Sequence, residues 1–158
     1  MRQILFGILI VLFNFGCTKK GKDKIFLLPN NFVGYAIIIY NQPDGREGKV
    51  LDNLNTIIFE IPSTRILKTQ INADYGRTSL PEFYYDAIID KNRIPLIIDA
   101  VNYSEKNVNA TMPNIGKVYK NGKSSDFVEY SIFYIGTKDE IEKASLEVKR
   151  IDLQKLIK

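Results

Sequence analysis

Apolar and polar residues alternate along most of residues 25–135, and short turn sequences interrupt the alternation. A period of two places apolar side chains on one face of a strand, so this stretch predicts strands rather than helices. In residues 82–90, for example, Phe83 and Tyr85 face one way and their polar neighbours face the other. Residues 32–40 are apolar on both faces, which predicts a central strand that is covered on both sides.

Glycine and proline refine this prediction. Gly34 lies inside the central apolar run and indicates a bulge or a close backbone approach. Pro95 cannot donate a ladder hydrogen bond, so the strand predicted over residues 93–98 is expected at a sheet edge. Residues 102–115 are mostly polar and predict a long loop.

The end of the chain combines a hairpin with a helix. Asn121-Gly122, between residues 117–120 and 127–135, is typical of a hairpin turn. Thr137 and Glu140 then form a capping-box pattern, which predicts a helix over about residues 138–156. Its apolar residues recur at helical spacing: Ile141, Ala144, Val148 and Ile151.

These segments together predict a mainly β protein. Further strands are predicted over residues 25–28, 56–61 and 65–71. The total of about seven or eight strands and one C-terminal α-helix is typical of a single antiparallel β-sandwich or open barrel.

The N-terminus has the pattern of an export signal. Arg2 precedes an apolar run over residues 4–13, and Gly16 stands directly before Cys17, the single cysteine. A positive start, a short apolar core and a small residue before the cut are what a secretory signal requires. A cysteine directly after the small residue can carry a diacylglyceryl group. We therefore expect residues 1–16 to be a cleaved lipoprotein signal and Cys17 to carry the lipid.

Other interpretations of the N-terminus remain open. Asn14 and Phe15 depart from the aliphatic and small residues usual before a lipidated cysteine. An ordinary cleaved signal and an uncleaved membrane anchor are the rivals. A transmembrane helix needs about 20 apolar residues, and Asn14 and the lysines from Lys19 end this run sooner.

The positive charge of the chain is concentrated beside this signal. Of 22 Lys and Arg residues, five precede residue 25, and of 18 Asp and Glu residues only one does, so 17 of each remain in residues 25–158. We therefore expect residues 17–24 to be the acylated cysteine and a basic tether, and residues 25–158 to be one neutral domain. Such a domain lacks the basic surface that nucleic-acid binding requires.

Three short blocks resemble a known family: FLLPNNFVGYAIIIYNQPDG, EIPSTRILKTQ and FYIGTKDE, in this order. They resemble an uncharacterised family of small bacterial envelope lipoproteins, with a β-rich domain of unknown function. That family has an F-L-I-P-x-x-F-x-G opening and an F-x-G-T closing motif. The resemblance implies a compact β-rich domain behind a lipid anchor, and it assigns no functional residues.

Missing residue types narrow the chemistry further. The chain has no histidine, which excludes histidine-activated nucleophiles and histidine-ligated metals. If Cys17 is acylated, thiolate chemistry is excluded as well. No glycine-rich phosphate-binding motif is present. We therefore predict no cofactor, no metal and no catalytic residue.

Two weaker groupings remain. Asp86, Asp90 and Asp99 flank a predicted turn and form a weak candidate acidic cluster. Such a cluster could bind calcium or serve glycoside hydrolysis, but acids on the solvent face of a strand are ordinary. The second grouping is a set of aromatic residues that could form a platform for a sugar or peptide. Aromatic residues are also common in strands, where they pack in the core or across strands. The members of this set are Phe83, Tyr84, Tyr85, Tyr130 and Tyr134.

The sequence thus predicts a lipoprotein of the bacterial cell envelope, held to the membrane by a lipid on Cys17. Its β-domain is expected to be a non-catalytic binding or structural module with a protein or glycan ligand. The alternatives are a histidine-free accessory glycan-processing enzyme that uses carboxylates, or a subunit of an envelope complex. The sequence leaves the periplasmic and the outer-membrane face both open.

Overall fold

The computed structural model describes residues 21–76, 79–85, 93–96, 106–120 and 125–157. Within these residues the chain forms two β-sheets that enclose a core, and helices cover the outer face of the second sheet. The predicted mainly β class, the sandwich and the C-terminal helix are confirmed.

The described strands, in chain order, are β1 (Asp23–Leu28), β2 (Gly34–Ile39), β3 (Lys49–Leu51), β4 (Thr56–Glu60), β5 (Ile66–Lys68), β6 (Glu82–Tyr85), β7 (Arg93–Ile94), β8 (Asn109–Ala110), β9 (Asn114–Tyr119) and β10 (Phe127–Gly136). A 3₁₀ turn spans Asp52–Leu54. Two helices follow, α1 (Lys138–Val148) and α2 (Leu153–Leu156).

The first sheet has the strand order β3-β4-β1-β6-β7. Its central strand β1 runs parallel to both β4 and β6, whereas β3 and β7 pair antiparallel with their neighbours. Strand β7 therefore lies at the edge of this sheet, as Pro95 predicted. The antiparallel pairing of β6 with β7 joins Phe83 to Ile94 and Tyr84 to Arg93.

The second sheet has the order β5-β2-β10-β8, and β9 also pairs with β10. Strands β9 and β10 are antiparallel, which confirms the predicted hairpin pairing; its Asn121-Gly122 turn lies outside the described residues. Strand β10 pairs antiparallel with β2, and β2 pairs parallel with β5. The long strand β10 therefore pairs with three strands, β2, β8 and β9.

The structure differs from the antiparallel prediction in three parallel pairs, β1–β4, β1–β6 and β2–β5. Side-chain alternation has the same period in both kinds of pair, so the sequence pattern does not distinguish them. The described strands also outnumber the predicted seven or eight, because several are only two or three residues long.

The loop predicted over residues 102–115 is wrong for its second half. Strand β8 and the start of β9 lie there. The Ala110 amide donates a 2.8 Å hydrogen bond to the Pro95 carbonyl, and Asn109 and Ala110 are both buried. Pairing therefore satisfies the backbone of a segment whose side chains alone suggested solvent exposure.

Four phenylalanines form the centre of the core. The parallel registers place Phe59, Phe26 and Phe83 side by side on β4, β1 and β6. The Phe26 ring stacks on Phe83 with centroids 4.9 Å apart and on Phe59 at 5.4 Å. Phe133 of the second sheet packs against this row, 5.0 Å from Phe26 and 5.1 Å from Phe83. The two sheets thus meet through contacts between aromatic rings.

Strand β2 is covered on both faces, as predicted. Ala36 and Ile38 point into the core between the sheets, while Ile37 and Ile39 contact the helical layer's apolar cluster. Gly34 has φ of +115°, and a Cβ there would lie 3.2 Å from the Arg65 guanidinium. The group that approaches this glycine closely is thus the Arg65 side chain.

The C-terminal helical region begins as predicted but is interrupted. The Glu140 carboxylate accepts hydrogen bonds from the backbone amide and the hydroxyl of Thr137, at 2.8 and 2.9 Å. The single helix predicted over residues 138–156 is instead divided into α1 and α2. The Asp152 carboxylate accepts a 3.1 Å hydrogen bond from the Gln154 amide, so it caps a new helix rather than continuing α1.

Candidate functional site

The functional residues predicted from the sequence lie outside the described part of the chain. These are the lipidation residue Cys17 and the acidic residues Asp86, Asp90 and Asp99. Their roles therefore stay predictions. Among the described residues, no three acidic, cysteine or histidine side chains converge as metal ligands. The helices within the described ranges lack the length and hydropathy of a membrane-spanning segment.

The five aromatic residues of the proposed platform lie in different environments. Phe83 is fully buried in the core, and Tyr84 is buried as well. Tyr85 packs against the core, and its hydroxyl donates a 3.0 Å hydrogen bond to the Phe32 carbonyl. Tyr130 and Tyr134 instead pack under the helices on the second sheet. The aromatic residues therefore do not form one exposed platform.

A cleft of about 310 Å³ lies where residues from both sheets meet the loop after β5. Phe26 and Lys24 of β1 line it from the first sheet, and Tyr40, which follows β2, lines it from the second. The remaining walls are largely apolar, with Leu80 and Met112 among them. Its volume is at the lower end of the roughly 300–1,000 Å³ range of small-molecule sites.

Lys24 is the cationic group of this cleft. Its side chain is half-buried, and its ammonium donates a 2.9 Å hydrogen bond to the backbone carbonyl of Asp74. Desolvation lowers the pKa of Lys24, and the nearby Asp74 carboxylate opposes that shift only in part. The ammonium therefore loses solvation in this position, and an anionic group that entered the cleft would compensate that loss.

Asp74 fixes the backbone around the cleft. One carboxylate oxygen accepts a 2.6 Å hydrogen bond from the Lys22 amide, and the other accepts a 2.9 Å bond from the Gly76 amide. A Cβ on Gly76 would lie 2.5 Å from the Gly21 backbone, so only glycine permits this approach. The first described residues of the chain are thus bound directly to the rim of the cleft.

Two tyrosine hydroxyls complete the polar groups near the cleft. The Tyr75 hydroxyl donates a 2.6 Å hydrogen bond to the Glu129 carboxylate. Desolvation of the hydroxyl, together with this bond and the charge of Glu129, raises the pKa of Tyr75 to about 12. The Tyr40 hydroxyl and the Ser131 hydroxyl are 2.9 Å apart, and burial raises the pKa of Tyr40. Both phenols are therefore neutral at physiological pH.

The arrangement suits non-covalent binding. The cleft combines apolar walls and neutral phenols with a desolvated cation whose charge Asp74 offsets only in part, so it favours a molecule with an apolar body and an anionic group. The sequence pattern does not indicate this site, because Lys24 lies among the lysines of the predicted basic tether, residues 17–24. Strand β1 begins at Asp23, two residues before the predicted domain start. Asp74, which contacts Lys24, lies 50 residues later in the chain, so the contact leaves no local sequence pattern.

A protein-family model matches residues 20–144, most of the chain. The chain belongs to the family of unknown function DUF6843. This agrees with the resemblance to an uncharacterised family, while the opening and closing motifs stay a prediction. A comparison with curated proteins finds no match.

A crystal structure of a candidate lipoprotein from Bacillus anthracis is similar to this fold. The two chains share 14% sequence identity with a TM-score of 0.57, and the alignment covers 87% of this chain and 95% of the other. At this identity the likeness establishes a shared fold over nearly the whole domain.

Proposed function

We propose that this DUF6843 protein is a lipid-anchored lipoprotein of the bacterial cell envelope whose β-domain is a non-catalytic binding module. The lipid anchor is inferred from one observation: Cys17 follows Gly16 directly, after Arg2 and a short apolar run. The likeness to a candidate lipoprotein of Bacillus anthracis supports the same assignment. More than one acyl chain is needed for stable anchoring, and the two or three chains of a bacterial lipoprotein meet that need.

Metabolic labelling tests the anchor. Cells that express the full chain and receive a palmitate analogue should yield labelled wild-type protein and unlabelled Cys17→Ala protein. Thr18→Ala is the matched control, since it alters the adjacent residue and leaves the thiol in place. Equal labelling of wild type and Cys17→Ala would contradict lipidation at this residue.

The binding role is assigned to the Lys24 cleft. The observation that carries it is the half-buried Lys24 ammonium, whose desolvation outweighs the opposing charge of Asp74, in a cleft with apolar walls at Leu80 and Met112. Removal of an ammonium from water costs free energy unless a partner compensates it, so this position favours an anionic ligand group. The apolar residues of the walls would bury the rest of the ligand. The ligand class is therefore a small envelope molecule with an apolar body and one anionic group.

Thermal unfolding in the presence of candidate ligands tests this role. Sodium dodecanoate below its micellar concentration is a suitable first probe, with dodecanol as the uncharged counterpart. At a concentration 100-fold above Kd, a ligand stabilises the folded state by about 2.7 kcal/mol. For a domain of this size that raises Tm by roughly 5–10 °C.

Two matched variants test whether dodecanoate binds in the Lys24 cleft. Lys24→Met should abolish the shift caused by dodecanoate, whereas Lys155→Met, which removes an exposed lysine on α2, should retain it. An equal shift with dodecanol, or an undiminished shift in Lys24→Met, would refute anion binding in this cleft. The absence of any shift in the wild-type protein would do the same.

A further inference from the structure

We infer that the rim of the Lys24 cleft, formed by Tyr75, Leu80 and Met112, rests on the lipid surface of the membrane that holds the anchor. This inference depends on the proposed lipidation of Cys17. It adds an orientation, in which one defined face of the domain contacts the bilayer. It follows from where the chain enters the domain, how short the tether is, and which side chains surround the entry.

The entry point of the chain is fixed at the cleft. The Gly21 backbone packs against Gly76, and its carbonyl accepts a 3.0 Å hydrogen bond from the Asn55 side chain. The Lys22 amide donates to Asp74. The domain thus holds its N-terminal residues from Gly21 onward, and Gly76 and Asp74 both line the cleft.

The tether between anchor and entry point is short. Cys17 and Gly21 are four residues apart. An extended chain spans at most about 3.3–3.6 Å per residue, so Gly21 lies within about 14 Å of the lipidated residue. Part of that span crosses the headgroup layer, which is roughly 5–8 Å deep on each side of the bilayer. A domain of this length has a radius of gyration of about 14 Å.

The remaining span outside the headgroups is therefore shorter than the radius of the domain. A sphere attached to a plane by so short a tether cannot turn its attachment point away from that plane. The face that carries Gly21 and Gly76 is held towards the lipid, and the rim of the cleft belongs to this face.

The side chains around the entry suit a lipid surface. Tyr75, Leu80 and Met112 are 59%, 52% and 46% exposed, and all three line the same cleft. Aromatic rings such as that of Tyr75 are favoured at the membrane–water interface, and apolar side chains gain from entry into its apolar edge. Lys19 and Lys20 of the tether add positive charge where anionic headgroups lie.

Fluorescence quenching on vesicles tests this orientation. Cys17 is the only native cysteine, so a cysteine introduced into the acylated protein is the only free thiol. Leu80→Cys and Met112→Cys each receive an environment-sensitive dye. Leu146→Cys on α1 is the matched control, since Leu146 is 56% exposed and lies on the helix that covers the second sheet. The acylated proteins are placed in vesicles of phosphatidylethanolamine and phosphatidylglycerol with brominated acyl chains.

We expect blue-shifted emission and loss of fluorescence by bromolipid quenching at positions 80 and 112, with neither effect at 146. Equal quenching at all three positions would overturn the orientation, as would the absence of quenching at all of them. A blue shift at position 80 without quenching would mean that protein rather than lipid shields the dye, which also overturns the orientation. Circular dichroism of each variant checks the fold.

The same experiment separates the failure of the anchor from the failure of the orientation. Mass spectrometry establishes whether Cys17 carries lipid, and flotation establishes whether the protein stays with the vesicles. An unlipidated protein that does not float would refute the proposed anchor, and the orientation with it. A lipidated, floating protein without selective quenching would refute only the orientation.

Discussion

The aromatic contacts between the two sheets predict a specific loss of stability in Phe133→Leu. Leucine keeps position 133 apolar but removes the ring that lies 5.0 Å from Phe26 and 5.1 Å from Phe83. Each aromatic pair contributes about 0.5–1.5 kcal/mol beyond the buried area, so the loss of two pairs should cost about 1–3 kcal/mol. Phe133 does not line the Lys24 cleft, but its neighbour Phe26 does, so global unfolding rather than ligand binding is the readout for this substitution.

Urea unfolding of the purified protein, followed by far-ultraviolet circular dichroism, measures this loss. With an m-value of about 2 kcal/mol per molar urea, a loss of about 2 kcal/mol lowers the midpoint by about 1 M. Tyr119→Leu is the matched control, since it removes the ring of an exposed pair with Phe127 and should change stability by less than about 0.5 kcal/mol. Equal midpoints for Phe133→Leu and the wild type would refute the role assigned to these contacts.

Three further predictions concern single positions. Gly34→Ala should destabilise the protein by more than about 1 kcal/mol in the same urea assay, because alanine rarely adopts the positive φ of this residue; a stability equal to wild type would contradict that strain. Glu140→Ala should cost about 0.5–1.5 kcal/mol, as it removes the carboxylate that accepts the Thr137 amide, and unchanged helical ellipticity and midpoint would refute the capping box. The raised pKa of Tyr75 means that the folded state holds this proton more tightly than the unfolded state, so its contribution to stability is present below pH about 10 and is lost as the pH rises to about 12. Glu129→Gln should move the Tyr75 titration, followed by tyrosinate absorbance, towards pH 10, and an unchanged titration would contradict the assigned cause.

Much of the fold could be predicted because local signals agree with it. The two-sided apolar run of β2, the edge position of β7 and the capping box of Thr137 and Glu140 all depend on neighbouring residues only. Strand direction could not be predicted in this way, because parallel and antiparallel strands share the same side-chain alternation. The parallel partners of β1 lie some 30 and 60 residues away in the chain.

The candidate site was harder to predict than the fold. Lys24 stands in a lysine-rich stretch and has the pattern of a solvated tether. Its burial results from the loop at Asp74, which follows β5 in the chain and lies against Lys24. The contact between Lys24 and Asp74 joins distant parts of the chain and therefore has no local sequence pattern. Asp86, Asp90 and Asp99, in contrast, lie close together in the sequence and are easily noticed there.

The most direct test of the central claim is mass spectrometry of the N-terminal peptide of the mature protein from a bacterial membrane fraction. The account predicts a peptide that begins at Cys17, lacks residues 1–16 and carries a diacylglyceryl group on the sulfur, with or without a further acyl chain on the amine. A peptide that retains residues from before Cys17, or that begins at Cys17 with an unmodified thiol, would contradict the lipid anchor and the orientation inferred from it.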